Sequence, residues 1–190
     1  RAVAAPNCHG PRGVGGLRLR RGQRRTPLLH GGHQEGGKRP GTEPVPLIVG
    51  MAKALQLWHS EHIERQQSAA ALRDDLEQLL RHSCDPVRIH GSETHRLPNT
   101  ISIAFPGVSG EALLVSLHMA GIACSLGSTC ASGSAEPAPA LLAMGIPETI
   151  CRSTIRLSLS KNTTADEIRQ AASVITATVQ RLRGTAGSAT

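Results

Sequence analysis

The chain has 190 residues, enough for one domain of ordinary size with a hydrophobic core, or for one domain and part of another. Aromatic residues make up only 1% of it, as Trp58 and Phe105, which argues against modules that stack nucleic-acid bases on exposed rings. The net charge of +7 arises mainly in residues 1–40, with nine Lys or Arg against the single acid Glu35. Such an arm is as often solvated as bound to nucleic acid, so we expect no nucleic-acid partner.

The cysteines and the apolar runs bear on the cell compartment. Five cysteines without CxxC spacing fit neither a disulfide framework nor a zinc site, and they indicate reduced thiols in a cytosol-like compartment. No apolar run reaches the length of a membrane span, and the first residues lack the hydrophobic region of a signal peptide. We therefore predict a cytoplasmic protein without membrane association. The chain begins with Arg1 rather than Met, and we expect that this is not the natural N-terminus.

The first part of the chain is rich in turn residues. "GPRGVGGLRLRRG" (Gly10 to Gly22) predicts a Gly-rich turn and a short strand at Leu17 to Arg20, and its glycine spacing does not match a dinucleotide-binding fingerprint. "HGGHQEGGKRPGTEPVP" (His30 to Pro46) predicts a loop or linker. Within it, "RPGT" precedes a helix, so backbone N–H groups and the Thr42 hydroxyl either hold an anion or cap that helix.

The middle of the chain predicts a helical region, a strand and a further helix. Apolar spacing from Leu47 to about Arg81 predicts either one helix or two helices with a break near Ser60 to Gln67. "NTISIAF" (Asn99 to Phe105) alternates apolar and polar residues, which predicts a strand ended by a Pro-Gly turn. Gly110 to Ala120 predicts a short helix.

The last part predicts a second strand and the clearest helix. "TIRLSLS" (Thr154 to Ser160) alternates like a strand. The helix after it opens with a capping box, Thr164 to Glu167, carries one apolar stripe and closes at Gly184. Together these elements predict a small sheet covered by helices, in an α+β or α/β arrangement.

Two side chains in these segments could carry chemistry. Cys130 lies in "GSTCASGSAEPAP", where a loop could bring a thiol to a partner site, and a nearby cation or helix N-terminus makes a thiol reactive. The alternative is a small structural residue, which is our interpretation of Cys8, Cys84, Cys124 and Cys151. Arg156 is out of phase with its apolar strand neighbours, and such an arginine either clamps a carboxylate or is simply solvated.

Taken together, these segments resemble the C-terminal half of a cysteine desulfurase, a pyridoxal-phosphate enzyme of the aminotransferase-like fold type I. The segments that carry the resemblance are "GPRGVGGLRLRRG", "HGGHQEGGKRPGTEPVPLIVGMAKAL", "RLPNTISIAF", "GIACSLGSTCASGSAEPAPALLAMG" and "STIRLSLSKNTTADEI". The resemblance implies an α/β fold class, in which residues 1–66 are a remnant of the large cofactor-binding domain. Residues 67–190 are then a small α+β domain that carries the catalytic-cysteine loop.

The resemblance also implies roles for three residues. Cys130 matches the cysteine that forms a persulfide, Arg156 matches the arginine that holds the carboxylate of L-cysteine, and Thr42 matches the threonine that reaches the cofactor phosphate of the partner subunit in a homodimer. The implied reaction converts L-cysteine to L-alanine. The long Gly/Ser-rich loop is similar to that of the branch serving iron–sulfur assembly and tRNA thiolation, so an iron–sulfur scaffold is the implied sulfur acceptor. A selenocysteine lyase would use nearly the same residues, and the motifs do not separate the two.

The Schiff-base lysine of the family is absent. Its motif, Ser-x-His-Lys-x-x-Gly-Pro, counted back from Gly10, puts Asn7 at the lysine position, and the first lysine of the chain is Lys38. Without an amine there, the cofactor cannot be bound covalently. We therefore expect an incomplete and inactive fragment of the enzyme. The alternative is a non-catalytic, truncated protein that uses the loop around Cys130 for binding or for sulfur relay.

Overall fold

The computed structural model of the chain describes residues 3–5, 14–18, 22, 26–127 and 137–187. The chain divides into two units, residues 1–63 and residues 64–190.

The first unit, residues 1–63, begins with a pair of short antiparallel strands. β1 (Val3–Ala5) pairs with β2 (Gly16–Arg18). The strand predicted at Leu17 to Arg20 is therefore present but starts one residue earlier, and residues 19 and 20 lie outside the described residues.

The segment predicted as a loop or linker, His30 to Pro46, contains one short helical turn, α1 (Gln34–Gly37). Its backbone is left-handed, with φ of 51° at Glu35 and 64° at Gly36. Left-handed turns are short because each non-glycine residue in them is strained. Here Glu35 is strained, whereas Gly36 and Gly37 adopt positive φ angles without that cost.

α2 (Val45–Ser83) is one helix of 39 residues. The sequence predicted either one helix or two helices with a break near Ser60 to Gln67. The alternative with a break is wrong. That segment contains neither Gly nor Pro, and the three alanines that follow it shortly afterwards favour helix, so nothing there interrupts the hydrogen bonds. Pro46 lies in the first turn, where a missing N–H costs little.

The second unit, residues 64–190, is built on a three-stranded antiparallel sheet. Its strands are β3 (Arg88–Ile89), β4 (Thr100–Ala104) and β5 (Thr154–Ser158), in the order β3-β4-β5. β4 and β5 confirm the two predicted strands. β3 was not predicted, because two residues are too short for an alternating pattern.

The described residues of this unit form four further helices: α3 (Gly110–Met119), α4 (Pro139–Ala143), α5 (Glu148–Cys151) and α6 (Ala165–Gly187). α3 and α6 confirm predicted helices, but α6 does not close at Gly184. Of the helices that the described ranges contain, none combines the length and apolarity needed to cross a membrane.

One face of the sheet shares a hydrophobic core with α2, α3 and α6. The largest fully buried side chains of this core are Leu76, Leu80, Ile101, Ile103, Phe105, Leu113, Leu117, Ile155, Ile175 and Val179. The opposite face of β4 and β5 carries polar residues, because side chains alternate between the two faces of a strand. The functional candidate Arg156 lies on that polar face, opposite Ser102.

Candidate active site

Arg156 extends from the middle of β5 on the face opposite the core. Its neighbours Ile155 and Leu157 are buried, whereas Arg156 itself is exposed, as the alternation of the sequence predicts. Within the described part of the chain, its guanidinium makes neither a hydrogen bond nor an ion pair. A guanidinium presents five N–H donors in a fixed planar arrangement, so its donors are available to a carboxylate from outside.

The backbone of Arg156 anchors the segment that leads to Cys130. The Arg156 N–H donates a hydrogen bond to the Ser125 carbonyl oxygen at 2.6 Å, and the Ser125 N–H donates to the Arg156 carbonyl oxygen at 3.0 Å. The Gly127 N–H then donates to Ser125 Oγ at 3.1 Å, which turns the chain. The segment with the predicted nucleophile therefore starts directly beside the predicted carboxylate clamp.

Residues 128–136, which include Cys130, lie outside the described residues. The residues on either side of this segment are neighbours in space. A Cβ atom built on Gly127 would lie 3.6 Å from the Cβ of Ala138. The segment therefore begins and ends at one place in the fold.

A cavity of about 360 Å³ lies at this place. Leu126 and Pro137, from the two flanks of the segment, form part of its wall, and Glu111, Cys151 and Arg152 contribute a carboxylate, a thiol and a guanidinium. The cavity adjoins β5 through Thr154, which buries its side chain there.

The other described cysteines are poor nucleophiles, in agreement with the structural role predicted for them. Burial raises the pKa of Cys124. Burial, with a smaller effect of Glu148, raises the pKa of Cys151. Cys84 is 1% exposed. Because the thiolate is the reactive form, a raised pKa makes the Cys124 and Cys151 thiols less reactive. Cys8 lies outside the described residues.

Thr42 lies in the first unit, between α1 and α2. Its carbonyl oxygen accepts a hydrogen bond from Arg39 Nη1 at 3.1 Å, and the same nitrogen donates to the Gly41 carbonyl oxygen at 2.8 Å. The side chain is exposed, and in the part of the chain that is described its hydroxyl makes no hydrogen bond. The hydroxyl is therefore available as a donor to a phosphate or another anion.

Few backbone N–H groups at the N-terminus of α2 are available to bind an anion. The Val45 N–H donates to the Glu43 carbonyl oxygen at 2.9 Å, and the Leu47 N–H donates to the Pro44 carbonyl oxygen at 3.0 Å. The proline between them has no N–H. The Thr42 hydroxyl thus does not cap the helix, and an anion bound here would depend on that hydroxyl more than on the helix itself.

Comparison with known proteins places this fold in a family. Residues 2–170 match the family model described as aminotransferase class-V. The chain belongs to the aminotransferase class-V family. It is 46% identical over 183 residues to a cysteine desulfurase of Trichormus azollae, and 44% identical over 186 residues to the cysteine desulfurase NifS of Azotobacter vinelandii. These matches cover 95% and 96% of the chain but only 45% of either relative, so the chain spans about half the length of the curated relatives it matches.

A solved structure agrees with this class-V assignment. A NifS-like protein matches with a TM-score of 0.81 and 34% identity, over 92% of this chain and 44% of its own chain. The predicted fold class is confirmed: the class-V chain has the fold of part of a fold type I α/β transferase, with a small α+β portion.

The residues of the class-V chain do not by themselves fit pyridoxal phosphate. A Schiff base with this cofactor needs a lysine amine, and the chain has three lysines, Lys38, Lys53 and Lys161. All three are exposed, and none lines the cavity beside β5. Asn7, at the position where the resemblance calls for lysine, lies outside the described residues, and its amide cannot form a Schiff base. The Thr42 hydroxyl could donate a hydrogen bond to the cofactor phosphate. The lysine amine that the Schiff base needs is missing from the position where the resemblance calls for it.

Two residues that are hydrogen-bonded to β5, Ser125 and His90, were not predicted from the sequence. The His90 N–H donates to the Ser102 carbonyl oxygen at 2.9 Å, and its Nε2 is hydrogen-bonded to Thr154 Oγ1 at 3.1 Å. Both residues lie in short, non-periodic segments, where hydrophobic patterns carry no signal. The positions of Ser125 and His90 are determined by hydrogen bonds to strands that are distant in the sequence. Local sequence patterns do not indicate such pairing.

Proposed function

We propose that this chain provides the substrate clamp and the sulfur-accepting cysteine of a cysteine desulfurase. The observation that carries the proposal is the double role of Arg156. Its side chain has no partner within the described residues, while its backbone is bonded to Ser125, from which the segment with Cys130 starts. The names of the relatives in Trichormus azollae and Azotobacter vinelandii support the same activity.

Arg156 would bind the carboxylate of L-cysteine through two parallel hydrogen bonds. Its strand is held on both sides, by β4 and by Ser125, so the guanidinium starts from a fixed backbone. A planar guanidinium matches the two carboxylate oxygens better than an ammonium group does, so Arg156 would orient the substrate as well as hold it.

Cys130 would take the sulfur atom. Its thiolate attacks the sulfur of the substrate, an S–S bond forms and the C–S bond of the substrate breaks. The electron pair stays with the carbon, which takes up a proton to give L-alanine, and a persulfide remains on Cys130. Cys130 is the third residue after Gly127, so covalent geometry keeps their Cα atoms within about 11 Å of each other. The proposed nucleophile would thus stay tethered near the residue that we propose as the carboxylate clamp.

The persulfide would then pass to an acceptor protein, such as an iron–sulfur scaffold, in the cytoplasm.

We assign residues 1–66 to a large cofactor-binding domain and residues 67–190 to a small domain, and the division of the structure after residue 63 supports a boundary in this region. In a homodimer, the exposed Thr42 hydroxyl would donate to the phosphate of pyridoxal phosphate held by the partner subunit. When bound, pyridoxal phosphate would supply the electron sink for the reaction.

The missing lysine motivates a second candidate function. With Asn7 at the lysine position and three exposed lysines elsewhere, we infer that the chain alone does not turn over L-cysteine. A chain that keeps the Cys130 segment but lacks the amine could still accept a sulfur atom from another persulfide and pass it on. This relay function uses the same cysteine without the carbon–sulfur cleavage.

A chimera tests the first function. In the Trichormus azollae relative, the matched 183 residues are replaced by this chain, with and without Asn7→Lys. We expect alanine from L-cysteine only with Asn7→Lys, loss of the protein-bound persulfide with Cys130→Ser, and persulfide formation retained in the control Cys124→Ser. An Asn7→Lys chimera that binds the cofactor but produces no alanine contradicts the desulfurase function.

The relay function has its own test on the chain alone. Incubation with inorganic polysulfide should add one sulfur atom to Cys130, detected by mass spectrometry of its peptide. Labelling of Cys124 to the same extent would show nonspecific chemistry and count against a relay.

A further inference from the structure

The cavity of about 360 Å³ beside β5 has no part in the roles proposed above. Its volume lies near the lower end of the roughly 300–1,000 Å³ that small-molecule sites in proteins occupy. Among the described residues, Arg156 is not part of its wall, so the proposed carboxylate clamp lies outside it. All the described wall residues belong to the second unit. The cavity is therefore a candidate site for a second, small ligand.

The start of α3 and Arg152 form one part of the wall, and a backbone contact holds them together. The Gly110 N–H donates to the Arg152 carbonyl oxygen at 2.9 Å. A Cβ atom built on Gly110 would lie 2.7 Å from that oxygen, so a side chain at this position would prevent the approach. The side chains of Glu111 and Arg152 therefore extend from neighbouring backbone positions, and both residues line the cavity.

This part of the wall presents hydrogen-bond donors to a carboxylate. The Ala112 N–H is bonded to Ser109 Oγ at 3.4 Å, whereas the Glu111 N–H has no acceptor within the described residues. The Ser109 hydroxyl accepts that bond and keeps its own proton to donate. Arg152 adds a guanidinium. Its ion pair with Glu148 is exposed, and exposed pairs are weak enough for a ligand carboxylate to compete with them.

Glu111 brings the opposite charge to the same cavity. Within the described part of the chain, its carboxylate makes neither a hydrogen bond nor an ion pair. A free carboxylate beside a guanidinium suits a ligand that carries an ammonium group and a carboxylate on one carbon atom. The described wall contains no further charged side chain, which disfavours a ligand with a charged side chain. Much of the remaining wall is apolar: Val108, Leu126, Pro137, Ala138 and Cys151.

We propose that this cavity binds a small α-amino acid with an uncharged side chain. Arg152, the Ser109 hydroxyl and the Glu111 N–H bind the carboxylate, the Glu111 carboxylate binds the ammonium group, and the apolar wall covers the side chain. L-cysteine and L-alanine, the substrate and the product of the proposed reaction, both belong to this class. The site is independent of the desulfurase function, since it uses neither Arg156 nor Cys130.

A ligand in this cavity contacts both flanks of the segment that contains Cys130. Leu126 lies on one flank and Ala138 on the other, and both line the cavity. A ligand that binds only the closed form of the backbone makes its local opening rarer. Slower amide exchange at Leu126 is therefore a second readout, besides the affinity.

The first experiment titrates the ¹⁵N-labelled chain with L-alanine and follows the amides by NMR. A ligand this small is expected to bind with a Kd of about 1 mM. We expect saturable shifts at Val108 and Glu111 and slower exchange at Leu126. Propionate lacks the ammonium group and ethylamine lacks the carboxylate, so each should bind about tenfold more weakly. Propionate binding as tight as that of L-alanine would overturn the proposal, as would an absence of saturable shifts.

Two variants with matched controls locate the ligand. Glu111→Gln and Arg152→Gln should each raise the Kd for L-alanine about tenfold, because each removes one charge from the site. Arg169→Gln, which breaks a comparable exposed ion pair on α6, should leave the Kd unchanged, and so should Glu93→Gln, at an exposed acid between β3 and β4. Equal effects of the site variants and the controls would show binding without a built site and overturn the proposal.

Arg156→Gln separates this site from the proposed clamp. We expect it to leave the L-alanine shifts at Val108 and Glu111 unchanged, whatever its effect on alanine production in the chimera. Loss of those shifts in Arg156→Gln would assign the ligand to the clamp and overturn the second site. A failed desulfurase function leaves these outcomes unaffected, because none of them is read from turnover.

Discussion

Ser125 and Arg156 exchange two backbone hydrogen bonds, at 2.6 Å and 3.0 Å. Proline has no N–H, so Ser125→Pro removes one of the two. The bond from the Arg156 N–H to the Ser125 carbonyl oxygen remains but loses its neighbour. We therefore expect the Arg156 amide to exchange with solvent faster and the unfolding free energy to fall by about 1 kcal/mol, measured by hydrogen exchange and urea denaturation. Ser125→Ala is the matched control, since it keeps both backbone bonds and loses only the contact with Gly127. Unchanged protection of Arg156 in Ser125→Pro would show that this bridge does not hold the segment.

Glu77 and Arg96 form an ion pair that joins α2 to the segment before β4. Glu77 is 8% exposed, and Arg96 Nη2 also donates to the Thr100 carbonyl oxygen at 3.2 Å. Glu77→Leu leaves the largely buried guanidinium without its carboxylate, so we expect a loss of about 3 kcal/mol in unfolding free energy. In Glu77→Leu/Arg96→Leu no charge is stranded, so the double variant should lose less than the sum of the two single variants, as measured by urea denaturation.

An exposed pair serves as the control for this measurement. Asp166 and Arg169 pair on the surface of α6, where their side chains are 89% and 64% exposed. Asp166→Asn should cost less than about 1 kcal/mol, because exposed ion pairs are weak. Equal costs at the two sites would contradict the role that burial plays in the prediction for Glu77.

Thr164 and Glu167 form the capping box at the start of α6. The Thr164 N–H donates to Glu167 Oε2 at 2.8 Å, and the Glu167 N–H donates to Thr164 Oγ1 at 3.2 Å. Thr164→Ala leaves the Glu167 N–H without its acceptor, so we expect a loss of about 1 kcal/mol in unfolding free energy. Thr164→Ser keeps the hydroxyl and should retain most of the stability. Equal losses in the two variants would contradict the capping role.

The sequence predicted those features whose cause is local. The capping box of α6 depends on residues three apart, and the outward position of Arg156 depends on alternation within five residues, so both could be deduced. The end of α6 was predicted too early, because Gly184 in a helix costs only about 1 kcal/mol and does not force termination.

The remaining features depend on contacts between distant residues. The pairing of Ser125 with β5 joins positions 31 residues apart, and β3 exists only because β4 lies beside it. α4 and α5, of five and four residues, are too short for a helical period to be recognised. The roles of Cys130, Arg156 and Thr42 remain predictions, since they were carried by resemblance and Cys130 lies outside the described residues.

His90 and Thr154 give the last prediction, which concerns pH. Thr154 Oγ1 donates to the Ile150 carbonyl oxygen at 2.8 Å, so it accepts from the ring, and the proton of neutral His90 is assigned to Nε2. Burial, with a smaller effect of Arg88, lowers the pKa of His90 from 6.5. The unfolded chain therefore binds the proton more tightly than the folded chain does. The stability linked to His90 is complete above pH 6.5 and is lost as the pH falls from there through the lower folded pKa.

Two measurements check this pH dependence. Titration of the His90 ring by NMR should give a midpoint below 6.5, and Arg88→Gln should move that midpoint upward because it removes a repulsive charge. Arg169→Gln, at an exposed arginine of α6, is the control and should leave the midpoint unchanged. In urea denaturation, Arg88→Gln should also make stability less sensitive to acid, since the folded and unfolded pKa values then differ less. A His90 midpoint at or above 6.5 in the unmodified chain would contradict the burial argument, and with it the direction of the pH effect.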